Sequence, residues 1–165
     1  MSITRIGRHL LQHHWQLKRI FTSDVLARIE QAIQDGERSH AGQLRFVVEG
    51  ALDGRPLWRN QPPRERALDL FSHLRIWDTA HNNGVLIYLL LADRDVEIVA
   101  DRGIDAKVGG EAWESICRAM EAEFASGQFE RGVVGGIAAV SRELSRHFPP
   151  QSPHANELPD APVVM

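Results

Sequence analysis

Two short polar clusters bracket the most apolar part of the chain. Asp78, Asn82 and Asn83 precede seven consecutive apolar residues, 85–91, and Asp101, Arg102 and Asp105 follow the next apolar run. Carboxylates and amide oxygens are the ligands that calcium and magnesium take. An arginine adds a planar fork that can grip a phosphate through two parallel bonds. Together the residue types suit metal-assisted hydrolysis of a phosphate ester. Asp78, Asn82, Asn83 and Asp101 are the candidate ligands of Ca2+ or Mg2+. Asp101, Arg102 and Asp105 are the candidate catalytic set, with Arg102 on the phosphate and Asp105 as acid or base. Gly109-Gly110 offers backbone N–H groups as a further anion seat. Asn-Asn-Gly and Asp-Arg-Gly are also ordinary turn sequences, and that reading stands beside the first.

The two clusters meet only if the apolar runs pair. A two-residue turn at Asp93-Arg94 pairs Leu86 with Asp101 and Gly84 with Gly103, which sets both clusters at one end of a sheet. Gly84 and Gly103 then leave the backbone accessible there. The opposite end carries Glu49, Asp93, Arg94 and Asp95 and ranks second, as a hairpin tip.

Other chemistries find little support. Cys117 is the only cysteine, which excludes an internal disulfide and a Cys-based zinc site. It falls in a helical apolar pattern and reads as an inert core thiol. His9 and His13 stand four apart with His14 beside them, but no glutamate accompanies them as on a metalloprotease helix. They read as exposed polar positions. There is no P-loop, no Gly-x-Gly-x-x-Gly and no local signature of a Ser-His-Asp arrangement.

The elements that would hold these clusters follow from periodicity. Residues 3–20 read as a basic amphipathic helix that packs on the domain, with peripheral contact to a membrane as the other use of such a face. Thr22 or Ser23 caps a second helix carrying Leu26, Ile29 and Ile33. Leu44, Phe46 and Val48 alternate in a first strand. Pro62-Pro63 opens a helix with Ala67, Leu70, Phe71, Leu74 and Trp77 on its apolar face. Residues 85–91 form a second strand, apolar on both sides and therefore covered on both. A third strand, 96–100, pairs with it antiparallel, and a short strand near 104–108 is a further option. Two helices follow, through Trp113, Ile116, Met120 and Phe124, then through Val133, Ile137, Val140 and Leu144. Gly135 and Gly136 in the last helix predict close packing there. The order α-α-β-α-β-β-α-α predicts an α/β fold, a three-layer α/β/α sandwich around a small mixed sheet with an extra N-terminal helix. The expected divisions are residues 1–21 (packed helix), 22–148 (the domain) and 149–165, where five of the eight prolines fall and a disordered tail is expected.

Composition bounds the function. The chain has 165 residues, which suits one domain. Its net charge of −3 gives no electrostatic case for nucleic acid. No run of apolar residues reaches transmembrane length and the start lacks a signal-peptide pattern, so the expected location is cytoplasmic.

The segment "RIWDTAHNNGVLIYLLLADRDVEIVADRGI", then the Trp113 helix and "FASGQFERGVVGGI", resembles the TPM domain family, named partly for a thylakoid-lumen acid phosphatase. Trp77, Asn82-Asn83-Gly84, Arg102-Gly103, Phe124, Gly127, Phe129 and Gly132 match its pattern in order, over about residues 22–148. The resemblance implies an α/β/α sandwich, divalent-metal binding around the Asn-Asn-Gly segment and a phosphatase activity. Many members carry Asp where Asn82 stands, and a signal sequence and membrane anchor, so this chain resembles a short, soluble, bacterial-type branch. Two functions stay open: a metal-binding phosphatase, and a non-catalytic binding or regulatory module that contacts a protein or membrane-associated partner.

Overall fold

The computed structural model describes residues 14–150 and 156–165. The expected helix over 3–20 is described only as α1 (His14–Ile20), and His9 and His13 lie outside the described residues. Leu17 and Phe21 bury at the sheet core, so the described part of this segment is attached to the domain.

Seven residues in a row at β2 (Gly84–Leu90) are buried, and that strand sets the layering. It runs parallel to β1 (Gln43–Glu49), from Gln43 opposite Gly84 to Glu49 opposite Leu90. It runs antiparallel to β3 (Asp95–Ala100). Side chains alternate across a strand, so one set faces each way. Val85, Ile87 and Leu89 join Leu44, Phe46 and Val48 in one core, closed by α2 (Ser23–Glu37), α6 (Gly110–Ala125) and α7 (Phe129–His147). Leu86, Tyr88 and Leu90 join Val47 in a second, closed by α3 (Gly54–Trp58) and α4 (Pro63–His73). The result is the expected three-layer α/β/α architecture. Thr22 caps α2 as predicted, its hydroxyl accepting from Val25 N at 3.4 Å, and Pro62-Pro63 opens α4.

Several local expectations are corrected. Residues 104–108 form helix, not strand: Asp101 caps α5 (Arg102–Val108), and only Ile104 buries. Helix α4 stops at His73, and Arg75 turns left-handed at φ 53°, which leaves Trp77 half exposed rather than in the core. Of the Gly135-Gly136 pair in α7, only Gly136 faces a neighbour, Met120. Gly135 looks outward with no heavy atom within 4 Å of where a Cβ would stand.

The largest correction is the C-terminal segment. Residues 156–165 dock on the domain, and β4 (Val163–Val164) extends the sheet beyond β1, in the order β3-β2-β1-β4. Without it the outer edge of β1 would present open amides and carbonyls. Met165 N instead donates to Val48 O and Gly50 N to Met165 O, both at 2.9 Å. Polar side chains of β1 hold the rest. Gln43 Oε1 accepts from Glu157 N at 2.7 Å and Leu158 N at 2.9 Å, and Arg45 Nη1 donates to the carbonyls of Pro159 and Ala161. Leu158 enters the second core. Proline-rich composition signalled a lack of core-forming residues, but this segment docks mainly through its backbone.

Glu37 lies beneath this strap. Burial pushes its carboxyl up to about 8, with nearby Asp160 adding to the rise and a bond from Leu44 N at 3.1 Å opposing it. Glu37 ionises in the unfolded chain from its ordinary value of 4.5 but in the fold only near 8. Its contribution is therefore complete below 4.5 and is lost as pH rises through about 8. Urea unfolding between pH 5 and pH 8 should lose up to ~1.4 kcal/mol per pH unit to this one proton, and Glu37→Gln should flatten that slope. In α7, Gly135→Ala should raise stability by ~0.5–1 kcal/mol in thermal unfolding, while Gly136→Ala should lower it.

Candidate functional site

The hairpin brings the two polar clusters together, in a register two residues from the expected one. Its turn spans residues 91–94, with Arg94 left-handed at φ 53°, and Leu90 faces Asp95. A shift of two preserves the faces of both strands. It also places Asp101, rather than Gly103, opposite Gly84: Asp101 N donates to Gly84 O at 2.8 Å.

Both glycines are required by close backbone approach. A Cβ at Gly84 would collide with the carbonyl of Ile76, and one at Gly103 would stand 2.5 Å from Asn82 O and 3.0 Å from His81 O. Asn82 is left-handed at φ 51°, a conformation asparagine tolerates. The turn is fastened from within by buried Thr79, whose hydroxyl accepts from Asn83 N at 3.1 Å and whose carbonyl accepts from Asn82 N at 3.3 Å.

The six candidates separate on this scaffold. Asp101 is 8% exposed; its Oδ1 accepts from Arg102 N at 2.7 Å, and its Oδ2 is buried with no hydrogen-bond partner among the described residues. Asn83 is fully buried and turns toward the segment just before β1, where Nδ2 donates to Ala41 O at 3.0 Å; its Oδ1 also lacks a partner among those residues. Asp78, Asn82 and Arg102 are exposed. Asp105 turns aside: its Oδ1 accepts from Trp113 Nε1 at 3.0 Å, at a cleft of about 500 Å³ beside β3 that also includes Arg64, Glu97 and Cys117. Gly109 N already donates to Asp105 O, so the anticipated anion seat is partly filled. Among the described residues no three His, Cys, Asp or Glu side chains converge. A cation here would have to draw on Asp101 together with amide and backbone carbonyl oxygens.

Two side chains with nucleophilic atoms, Cys117 and Tyr88, are held protonated. Burial pushes the Cys117 thiol up to about 12. Tyr88 lies at the opposite end of the sheet, in a cluster that periodicity alone does not reveal. Its hydroxyl donates to Glu49 Oε2 at 2.7 Å, and Arg66 grips the same carboxylate through Nε and Nη2, each at 2.9 Å. Burial, followed by the Glu49 charge, drives the phenol far above its ordinary range. The available signal was Glu49 itself, a charge on the face of β1 that carries Val47.

Fold and rim define a class: a three-layer domain built on a mixed sheet, with a polar turn beside the central strand facing a capped helix. The TPM domain profile matches residues 16–143, and the chain belongs to the TPM domain family. It is similar to the NMR structure of the BA42 protein from the psychrophilic bacterium Bizionia argentinensis, at 29% identity and TM-score 0.77, over 87% of this chain and 94% of that one. The N-terminal domain of a P. gingivalis protein shares the fold at 20% identity and TM-score 0.61, over 79% and 83%. No curated protein matches the chain. Among the described residues no helix is long and apolar enough to cross a membrane.

Gly103→Ala should push the 81–82 turn away from α5. The expected cost is ~1–3 kcal/mol in urea unfolding, with amide shifts concentrated at residues 79–84.

Proposed function

We propose that this TPM domain binds a divalent cation, Ca2+ or Mg2+, at the rim formed by residues 78–84 and 101–103. The observation that carries the reading is the buried Oδ2 of Asp101, which lacks a partner among the described residues, beside a turn whose carbonyls crowd Gly103. Buried carboxylate oxygens are nearly always paired, and a cation supplies the pairing. Calcium accepts backbone carbonyls and asparagine amides as well as carboxylates, so Asp101, Asn82 and exposed Asp78 form a suitable donor set. Asn83 adds a second buried oxygen without a partner among the described residues, on the β1 side. Asn82 in place of a carboxylate lowers the charge of the set and with it the affinity.

Binding without hydrolysis is the role this geometry favours. Cys117 and Tyr88 stay protonated, and Asp105 is engaged by Trp113. Phosphatase activity is the second reading. It rests on Arg102, an exposed guanidinium directly after Asp101, placed to hold a phosphate beside a cation at the rim.

Titration with Ca2+ or Mg2+ should shift backbone amides at 78–84 and 101–103, and Asp101→Asn should weaken the apparent affinity at least ~10-fold. The cation reading fails if millimolar concentrations of both ions leave those amides in place. Turnover of p-nitrophenyl phosphate that EDTA and Asp101→Asn both abolish would establish hydrolysis; equal background rates in all samples would remove it.

A further inference from the structure

We propose that Glu157, carried on the strap of residues 156–165, is a positioning residue of the rim and holds the 79–83 turn in the shape a bound cation requires. This rests on the cation reading above and adds a residue from outside the rim's two loops. Ala80, His81 and Asn82 are all exposed, and Asn82 is left-handed, so little packing fixes the outer side of the turn. The contact found there is from Ala80 N to Glu157 Oε2 at 2.9 Å. A charged acceptor makes this one of the stronger kinds of backbone hydrogen bond.

Glu157 is itself fixed. Its own N–H and that of Leu158 both reach the oxygen of Gln43, a fully buried side chain at the start of β1. The backbone N–H of Gln43 donates to Asn83 O at 3.3 Å. Strap, first strand and turn therefore form a closed ring: Glu157 to Ala80, along the turn to Asn83, across to Gln43, and back to Glu157. Leu158 buries in the second core and β4 pairs with β1, which anchors the ring on its far side. Docking of the strap and the geometry of the rim are thus joined through one residue at each end, Gln43 and Glu157. Coupling of this kind is reciprocal: whatever a cation does for the strap, the strap does for the cation.

The test uses the full chain and two variants. Glu157→Gln keeps an oxygen for Ala80 N and removes the charge; Glu157→Ala removes both. Without added metal, amide exchange at Ala80 and Asn83 should quicken about tenfold in the alanine variant and little in the glutamine variant, with β2 amides unchanged as the control for folding. With Ca2+, the alanine variant should bind about tenfold more weakly, the glutamine variant close to wild type, and the strap amides of the wild type should exchange more slowly. Unchanged exchange at Ala80 and Asn83 in the alanine variant overturns the proposal. So does equal loss of affinity in both variants, which would make Glu157 a direct ligand or a source of charge. If the wild type binds neither Ca2+ nor Mg2+, the cation reading falls, while the metal-free exchange still decides whether Glu157 positions the turn.

Discussion

The complete burial of β2 is the constraint on which the rest of the structure depends. A strand with apolar side chains on both faces has no solvated side, so the chain must supply a layer above and a layer below. Helices α2, α6 and α7 form one, and α3 and α4 the other. The ends of such a strand are then the places where backbone leaves the core and polar groups can gather. At its start the chain enters through Asn82-Asn83-Gly84, with Ile76 packed so closely over Gly84 that no side chain fits. At its far end sits the Glu49–Arg66–Tyr88 cluster, a buried charge whose hydrogen bonds come from the Arg66 fork and the Tyr88 hydroxyl.

The sheet has two edges, and the chain protects each differently. Val96 and Ile98 are two of the β3 residues whose backbone groups point away from β2. Val96 N donates to Glu121 at 3.2 Å, the Ile98 amide bonds Cys117, and Arg64 reaches the Ile98 carbonyl. Side chains thus close one edge directly, which discourages pairing with another strand. The other edge, at β1, is closed by backbone, through the strap. A backbone closure spans more chain, and this one extends far enough to touch the rim turn at Ala80.

How much of this was legible from sequence depends on the range of the interaction. The layering followed from local pattern: an unbroken apolar run, alternation in β1, and helical spacing in α2, α6 and α7. Asp101 and Asn82 were placed at one end of the sheet even though the hairpin register was two residues off, because a shift of two leaves faces and ends unchanged. Errors arose where a single residue ended an element. Arg75 in the left-handed region turned Trp77 out of the core, and Asp101 as a cap made helix of an expected strand. The strap was not legible, since its ordering depends on Gln43 and Arg45 more than a hundred residues away, and nothing in a proline-rich segment signals that contact.

The same distinction bears on the site. Asp78, Arg102 and Asp105 stand out in the sequence by residue type and proximity, yet in the fold Asp78 and Arg102 are exposed and Asp105 accepts from Trp113. Asp101 differs because the fold buries its second oxygen and no donor reaches that oxygen among the described residues. Leaving a buried acceptor unpaired works against folding by about 1–3 kcal/mol, and more for a charged group. On the reading proposed above, a cation would meet this oxygen beside the turn whose carbonyls crowd Gly103. The second oxygen of Asp101 therefore marks the place more sharply than the number of carboxylates nearby.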